Sequence, residues 1–246
     1  MNKHDLQKSI DPTATISPQV WKLLRHRIVN NDLPPGHKLS EGEIAKELGV
    51  SRQPVREAFI KLAGEGFVMI RPQRSTLVRE IDVETVLQLR FVREAVEADI
   101  VSTLAEDPDP SLVKDLRAEL KRQRSIRKGD PQAFYRADQD FHRILMEAAG
   151  KGVAWKYIDE INGQMDRVRV LSYGIFPIEA LIEQHADIVE KIAVGNQGGA
   201  NLAMRNHLNE MLRTLPEIVQ QNPEHFENIT GLESSKLLPK REKNDD

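Results

Sequence analysis

Four side chains in the C-terminal half of the sequence have the chemistry of a metal site. Asp138 and His142 are four residues apart, so on a helix their side chains share one face and can bind the same ion. His185 and His207, like His142, each lie within an apolar helical pattern. One carboxylate and three imidazoles suit a borderline divalent cation such as Zn, Ni or Mn, with coordination positions left open. The alternative is a set of hydrogen-bonded core histidines, and spacing alone does not decide between the two.

A second group of side chains has the chemistry of nucleic-acid binding. Residues 48–62 predict a turn followed by a helix, because Gly49 can end a preceding helix and Pro54 is tolerated in a first turn. Apolar residues at helical spacing form one face: Val55, Ala58, Phe59 and Leu62. The exposed N-terminal end carries four polar residues: Ser51, Arg52, Gln53 and Arg56. This end suits phosphate oxygens and base edges in a major groove, and an ordinary amphipathic helix with a solvated basic face is the alternative.

The elements around that helix predict a winged helix-turn-helix domain over residues 17–80. Its first helix is expected to begin with Ser17 as the N-cap and the following proline at the first helical position. Ser40 and Glu43 form a capping box for the second helix. Residues 1–16 are polar and aperiodic, and we expect them to form a flexible arm.

A β-hairpin is predicted after the third helix of this domain. Two β-rich runs, 67–71 and 76–79, flank a polar segment at 72–75. Arg71 and Arg74 place positive charge at the tip of this hairpin. Three helices and a basic hairpin are the parts of a winged helix-turn-helix domain.

The remainder of the chain predicts an all-α helical bundle over residues 81–222. Six helical stretches without a strand are expected: 83–104, 112–126, 130–149, 153–172, 177–194 and 200–219. Residues 223–246 are polar and are predicted to be a disordered tail. The expected fold class is therefore mainly α, with an N-terminal winged helix-turn-helix and a C-terminal bundle.

Composition and charge favour a cytoplasmic protein with a basic N-terminal domain. The chain has 246 residues, a mass of 28.0 kDa, no cysteine and a net charge of −3. It contains no apolar run of membrane-spanning length and no signal-peptide pattern, so no membrane association is expected. Residues 18–80 contain eleven basic and seven acidic residues, a net charge of +4, which leaves −7 on the remainder. This asymmetry favours nucleic-acid binding by the first domain alone.

Motifs in the first domain resemble the GntR family of bacterial regulators. They are Pro34-Pro35-Gly36, Leu39-Ser40-Glu41, Ser51-Arg52-Gln53-Pro54-Val55-Arg56-Glu57-Ala58, Gly66-Phe67-Val68 and Arg71-Pro72-Gln73-Arg74. The resemblance implies operator binding by Ser51, Arg52, Gln53, Arg56, Arg71 and Arg74, with Ser51 on the DNA backbone and the wing at the minor groove. Two positions depart from the family pattern. Ser75 replaces a wing-tip glycine, and Gly42 replaces an arginine that contacts DNA in some members.

Motifs in the bundle resemble the FCD ligand-sensing domain of the FadR branch of this family. They are Asp138-x-x-Phe141-His142, Glu183-Gln184-His185 and Ala203-Met204-x-x-His207-Leu208. In metal-binding members the matching aspartate and three histidines hold the metal. The resemblance therefore implies a divalent metal on Asp138, His142, His185 and His207.

The same resemblance implies an effector site with three arginines. Arg93-x-x-Val96-Glu97 is similar to the first-helix signature of the FCD domain, whose arginine commonly meets a carboxylate effector. A segment containing Arg167 and Arg169 is similar to one in members that respond to sugar acids. For Arg93 the alternative is a plain ion pair with Glu97, four residues along the same helix.

The sequence leaves three functional hypotheses. The first is a homodimeric transcriptional repressor, not an enzyme, whose bundle mediates dimerisation and whose affinity for a palindromic operator depends on a small carboxylate or sugar acid. The second is a metal-dependent enzyme with a DNA-binding appendage, and the third is an architectural DNA-binding protein with a structural metal. No base beyond the four metal ligands is identifiable as a catalytic partner, which favours the first hypothesis over the second.

Overall fold

The N-terminal part of the chain is a winged helix-turn-helix, as predicted. The computed structural model describes residues 10–71, 75–126, 130–172, 175 and 178–229. Its first elements are α1 (Ile16–Val29), β1 (Lys38–Leu39), α2 (Glu41–Leu48), α3 (Arg52–Gly64), β2 (Val68–Met69) and β3 (Thr76–Val78). The strands form an antiparallel sheet in the order β1-β3-β2, with Lys38 opposite Leu77 and Val68 opposite Val78.

Local sequence signals explain the helix-turn-helix. The Ser40 hydroxyl caps α2 by accepting a hydrogen bond of 3.4 Å from the backbone N–H of Glu43. Gly49 ends α2 in the left-handed conformation, with φ of 70°, which a residue without a Cβ adopts at no steric cost. The predicted apolar face of α3 is buried: Val55, Ala58, Phe59 and Leu62. Its packing against α1 leaves the N-terminal end of α3 exposed.

The first helix begins earlier than predicted. Thr15 is the N-cap and Ile16 the first helical residue, so the expectation that Ser17 caps this helix is wrong. Pro18 is tolerated in the first turn because the backbone N–H groups there have no partner within the helix. The part of the predicted arm at 1–9 lies outside the described residues, whereas Asp11 is hydrogen-bonded to Gln19.

The C-terminal part is the expected helical bundle, with one helix more than predicted among the described residues. It contains α4 (Val83–Glu106), α5 (Pro110–Ser125), α6 (Pro131–Ala148), α7 (Gly152–Ile161), α8 (Gly163–Leu171), α9 (Ile178–Ala193) and α10 (Gln197–Gln221). The stretch predicted as one helix at 153–172 is divided at Asn162-Gly163, two residues of low helix propensity. None of the described helices is long and apolar enough to cross a membrane.

The end of the bundle is also more ordered than predicted. After α10 a 3₁₀ turn at Pro223–His225 leads into β5 (Phe226–Glu227), which pairs in parallel with β4 (Ile81–Asp82). Phe226 is buried in an apolar cluster with residues of α4, α8 and α10. The predictions of a bundle without a strand and of a disordered tail from residue 223 are therefore wrong for these residues. Residues 230–246 lie outside the described part.

The two domains contact each other through α8. Gly163 lies against the ring of Phe67 in the winged domain, and a Cβ atom at position 163 would be 2.3 Å from Phe67 Cζ. Nearby, the Gln164 side chain donates a hydrogen bond of 3.2 Å to the backbone oxygen of Glu65. The domain contact thus depends on a residue without a side chain at position 163.

Replacing this glycine tests the closeness of the domain contact. Gly163→Ala should lower the free energy of unfolding by about 1–3 kcal/mol, because the buried Phe67 ring must move. Gly198→Ala is a matched control, since that glycine is also helical and its added Cβ would meet nothing within 4 Å. The control should be neutral or slightly stabilising. Urea unfolding of both variants measures the difference, and equal stability of the two would contradict the contact.

Candidate functional site

Four buried side chains from three helices converge in the core of the bundle. Asp138 and His142 come from successive turns of α6, His185 from α9 and His207 from α10. The apolar face of α6 that carries Phe141 anchors this arrangement, since its ring stacks on His185 with centroids 4.2 Å apart. One possible ligand atom from each of the four lies within 4.8 Å of the others. This set of side chains fits one divalent metal ion.

The imidazole Nε2 atoms and one carboxylate oxygen face a common point. His207 Nε2 lies 3.2 Å from His185 Nε2 and 3.3 Å from His142 Nε2. Asp138 Oδ1 lies 3.4 Å from His185 Nε2 and 3.8 Å from His142 Nε2. The three rings therefore present the same nitrogen to the centre of the site.

The Nδ1 atom of His185 is hydrogen-bonded to a glutamine on α5. It lies 2.9 Å from Gln123 Oε1, and the amide nitrogen of Gln123 donates to the backbone oxygen of Ala137, 3.2 Å away. That second bond orients the amide so that its oxygen accepts from His185 Nδ1–H. His185 Nε2 therefore carries a lone pair directed into the site.

The other two imidazoles are oriented in the same way. His207 Nδ1 lies 3.0 Å from Gln184 Oε1, and the amide nitrogen of Gln184 donates to Glu210 at 3.2 Å. His142 Nδ1 donates to Glu97 Oε2 on α4. Such outer partners fix the ring tautomer and orientation in metal sites.

The electrostatics of the site favour neutral imidazoles beside a charged carboxylate. Burial lowers the pKa of His185 and holds that of His207 well below its ordinary value. Burial alone would raise the pKa of Asp138, but the charge of Arg169 keeps it well below its usual range. Neutral nitrogens whose lone pairs face each other at about 3 Å repel, so the centre requires a cation or a proton. These residues fit a divalent metal.

Arg93 is fully buried beside the site. Its Nε donates to Glu97 Oε1, so the ion pair considered as the alternative for Arg93 is present. Its Nη1 and Nη2 atoms have no hydrogen-bond partner among the described residues. Burial would raise the pKa of Glu97, but the charge of Arg93 and the hydrogen bond from His142 lower it to about 2. The ion pair thus occupies one edge of the guanidinium and leaves two nitrogens available.

The two arginines predicted from α8 lie on different sides of that helix. Arg169 Nη1 lies 3.3 Å from Asp138 Oδ2, at the edge of the candidate metal site. Arg167 instead donates to the Arg79 backbone oxygen at 2.7 Å and to Gln164 at 3.1 Å. Burial lowers the pKa of Arg167 to about 10. The Arg167 nitrogen that donates to Arg79 contacts the segment that links the domains, and the role of Arg167 in effector binding stays a prediction.

The predicted DNA-binding residues of α3 are exposed at its N-terminal end. Ser51 is the N-cap, although its side chain makes no capping hydrogen bond, and Arg52 and Gln53 follow it. Gln53 donates to Glu57 at 3.1 Å. Arg56 donates to both carboxylate oxygens of Glu41, at 3.1 Å and 3.0 Å. This fork holds the guanidinium in a defined orientation at the exposed end of the helix.

The two departures from the family pattern concern the surroundings of these residues. The guanidinium of Arg52 lies over Gly42, where an added Cβ would be 3.5 Å from its Nη2. A glycine at position 42 thus leaves space for Arg52. Arg71 is exposed after β2, whereas the wing tip with Arg74 lies outside the described residues. Ser75, the second departure, lies just before β3.

Three residues of the site were not predicted from the sequence as partners of the histidines. Glu97, Gln123 and Gln184 orient the rings through Nδ1. Gln184 is adjacent to His185 in the sequence, and Glu97 belongs to the Arg93 motif. Both could therefore have been predicted from the sequence as residues of the site. Gln123 lies on a separate helix, and its contact depends on how α5 packs against α9.

The fold and site define a two-domain regulator with a DNA-binding head and a sensing bundle. The family description "Bacterial regulatory proteins, gntR family" matches residues 16–78, and the description "FCD domain" matches residues 88–210. The chain belongs to the GntR family of bacterial regulatory proteins and is a transcriptional regulator.

Individual relatives agree with this assignment. "HTH-type transcriptional repressor RspR" of Escherichia coli (strain K12) is 34% identical over 223 residues, covering 90% of this chain and 98% of the relative. "Probable D-xylose utilization operon transcriptional repressor" of Paenarthrobacter nicotinovorans is 27% identical, covering 79% and 86%. The solved structure "E. coli McbR/YncC" has a similar fold, with a TM-score of 0.68 at 20% identity, covering 85% and 99%. The relatives are regulators and not enzymes, which removes the enzyme hypothesis.

Proposed function

We propose that this protein is a homodimeric, cytoplasmic repressor whose affinity for a palindromic operator is set by a small carboxylate bound at a metal centre. The single observation that supports it best is the convergence of three oriented imidazoles and a carboxylate beside an arginine with two unpaired nitrogens. The names of two relatives include the word repressor.

Operator recognition is assigned to the exposed end of α3 and to the wing. Arg52 and Arg56 suit bidentate contacts with guanine, Gln53 suits adenine, and Ser51 suits a phosphate oxygen. Arg71 and Arg74 of the wing complete the proposed surface at the minor groove. One winged domain presents only a small surface to DNA. A palindromic operator has two-fold symmetry, which matches that of a protein dimer, so the proposal requires a dimer.

Metal binding is assigned to Asp138, His142, His185 and His207. Three nitrogens and one oxygen suit Zn, Ni or Mn and leave coordination positions for a ligand. When bound, such an ion supplies a Lewis-acidic positive charge for anion binding. The chain contributes the orientation of the rings, through Glu97, and a core that excludes water.

The effector is assigned to the class of small carboxylates, most specifically sugar acids. A carboxylate with an adjacent hydroxyl offers two oxygen donors, and a planar guanidinium pairs with further oxygens. Arg93 and Arg169 are the two arginines beside the ligand set. The relative named for D-xylose utilization supports a sugar-derived compound.

Removal of a proposed ligand tests the metal centre. His207→Ala should reduce the metal content of the purified protein from about one ion per chain to near zero, because three donors in a buried site bind far more weakly than four. Elemental analysis measures the content. His26→Ala is the control, since His26 is exposed on α1. Unchanged metal content in His207→Ala would mean that the four residues are hydrogen-bonded core residues and not metal ligands.

Loss of one recognition side chain tests the DNA surface. Arg52→Ala should weaken binding to the operator by about 1–3 kcal/mol and affect random duplex DNA less, because a base contact is specific and a phosphate contact is not. Fluorescence anisotropy on both duplexes measures the difference, and circular dichroism checks the fold. An equal loss on both duplexes would make Arg52 a phosphate contact.

The effector assignment is tested by two arginines with different partners. Arg93→Ala should abolish binding of aldonic and uronic acids in calorimetry while the metal content stays the same, since the guanidinium fork is lost. Arg167→Ala serves as the control and should retain acid binding, because Arg167 contacts the domain linker. Normal acid binding by Arg93→Ala would place the effector elsewhere.

A further inference from the structure

We propose that a chain of alternating charges, Asp138–Arg169–Asp166–Arg25, couples the candidate metal site to the first helix of the DNA-binding domain. This inference rests on the proposed function, because it concerns how the state of the site reaches the DNA-binding surface. Asp166 and Arg25 act as positioning residues in it. All four residues are buried or partly buried, and the chain crosses from the bundle into the winged domain.

The first two links join α6 to α8. Arg169 Nη1 lies 3.3 Å from Asp138 Oδ2 and 3.8 Å from Asp166 Oδ1, so one guanidinium nitrogen is shared by two carboxylates. Asp166 and Arg169 are three residues apart and lie on one face of α8. Tyr135, one turn before Asp138 on α6, lies beside Asp166 on the same side. A shift of Asp138 therefore changes the balance of attraction at Asp166.

The third link enters the DNA-binding domain. Asp166 Oδ2 lies 3.8 Å from Arg25 Nη2 on α1, and only 1% of the Asp166 side chain is exposed. The same Arg25 nitrogen donates to the backbone oxygen of Asp159 on α7 at 3.0 Å. Arg25 also faces Glu65 at the end of α3, with Nε 3.7 Å from Oε2. Arg25 thus connects the bundle to both α1 and the end of the recognition helix.

The geometry of the links allows two arrangements. The distances of 3.3, 3.8 and 3.8 Å exceed the 2.7–2.9 Å of a charge-assisted hydrogen bond. Among the described residues, Asp138 Oδ2, Asp166 Oδ1 and Arg169 Nη1 have no hydrogen-bond partner. A displacement of less than about 1 Å would close one link and lengthen the next. When Asp138 ligates a cation its charge is partly neutralised, so Arg169 turns to Asp166, and Asp166 holds Arg25 less strongly.

A second pair across the same interface provides the control. Lys61 on α3 and Glu160 on α7 lie 3.5 Å apart, and about half of each side chain is exposed. Such an exposed pair is screened by solvent and has no link to Asp138 among the contacts above. Removing its charge alters the interface and leaves the four residues of the proposed chain in place.

The experiment compares metal-loaded and metal-free protein on DNA. A duplex selected from a random library by the wild-type protein serves as the operator, and Zn²⁺ is the probe. Wild type should show at least about a five-fold difference in operator Kd between the two forms. Asp166→Asn and Arg25→Gln should keep the metal content but reduce that difference to less than about two-fold, whereas Glu160→Gln should keep it. The hydrogen-exchange rates of the α1 backbone amides should change on addition of Zn²⁺ in the wild type and in Glu160→Gln. They should not change in Asp166→Asn or Arg25→Gln.

The outcomes separate this inference from the function on which it rests. If the wild-type protein does not bind Zn²⁺, or if its operator Kd is the same with and without Zn²⁺, metal-dependent control is overturned and the coupling with it. A wild-type response that persists in both Asp166→Asn and Arg25→Gln would overturn the coupling alone. If Asp166→Asn does not fold, Arg25→Gln alone tests the coupling. This variant is expected to fold because Arg25 lies at the domain boundary and is partly exposed.

Discussion

The bundle depends on one constraint: a carboxylate and three imidazoles must lie within 4.8 Å of one another in a core closed to water. Burying polar groups is costly unless each has a partner. Glu97, Gln123 and Gln184 provide partners for the three Nδ1 atoms, and they come from α4, α5 and α9. The same few hydrogen bonds that orient the rings therefore link five helices: α4, α5, α6, α9 and α10.

The buried charges on α4 support the proposal that the effector is an anion. A guanidinium that is fully buried loses its hydration, and a single ion pair only partly compensates for that loss. Arg93 pairs with Glu97 through Nε and keeps two nitrogens without a partner among the described residues. An oxyanion placed there satisfies groups that are already desolvated, so binding does not require breaking an existing ion pair. The four-residue spacing of Arg93 and Glu97 suggested two competing roles, and the geometry is compatible with both.

The sequence predicted what depends on local patterns and missed what depends on packing between distant elements. Helical spacing and capping residues predicted the order of the helices. Motif resemblance predicted that the four candidate metal ligands form one site, and the structure places them together. The break at Asn162-Gly163 lies at two residues of low helix propensity, but the approach of Phe67 from the other domain, which excludes a side chain at position 163, depends on packing. The order at Phe226 was missed because a single aromatic residue in a polar segment carries no periodic signal. Gln123 has no motif, and only the crossing of α5 and α9 makes it a partner of His185.

Helix α8 shows why two arginines of one motif reach different parts of the molecule. Residues three apart on a helix share a face, whereas residues one apart do not. Asp166 and Arg169 therefore point together towards α6, and Arg167 reaches the backbone oxygen of Arg79 at the domain boundary. A helix of nine residues is about 13 Å long. Under the proposed coupling, a movement of Arg169 would be carried along α8 to Gly163, where α8 meets the DNA-binding domain.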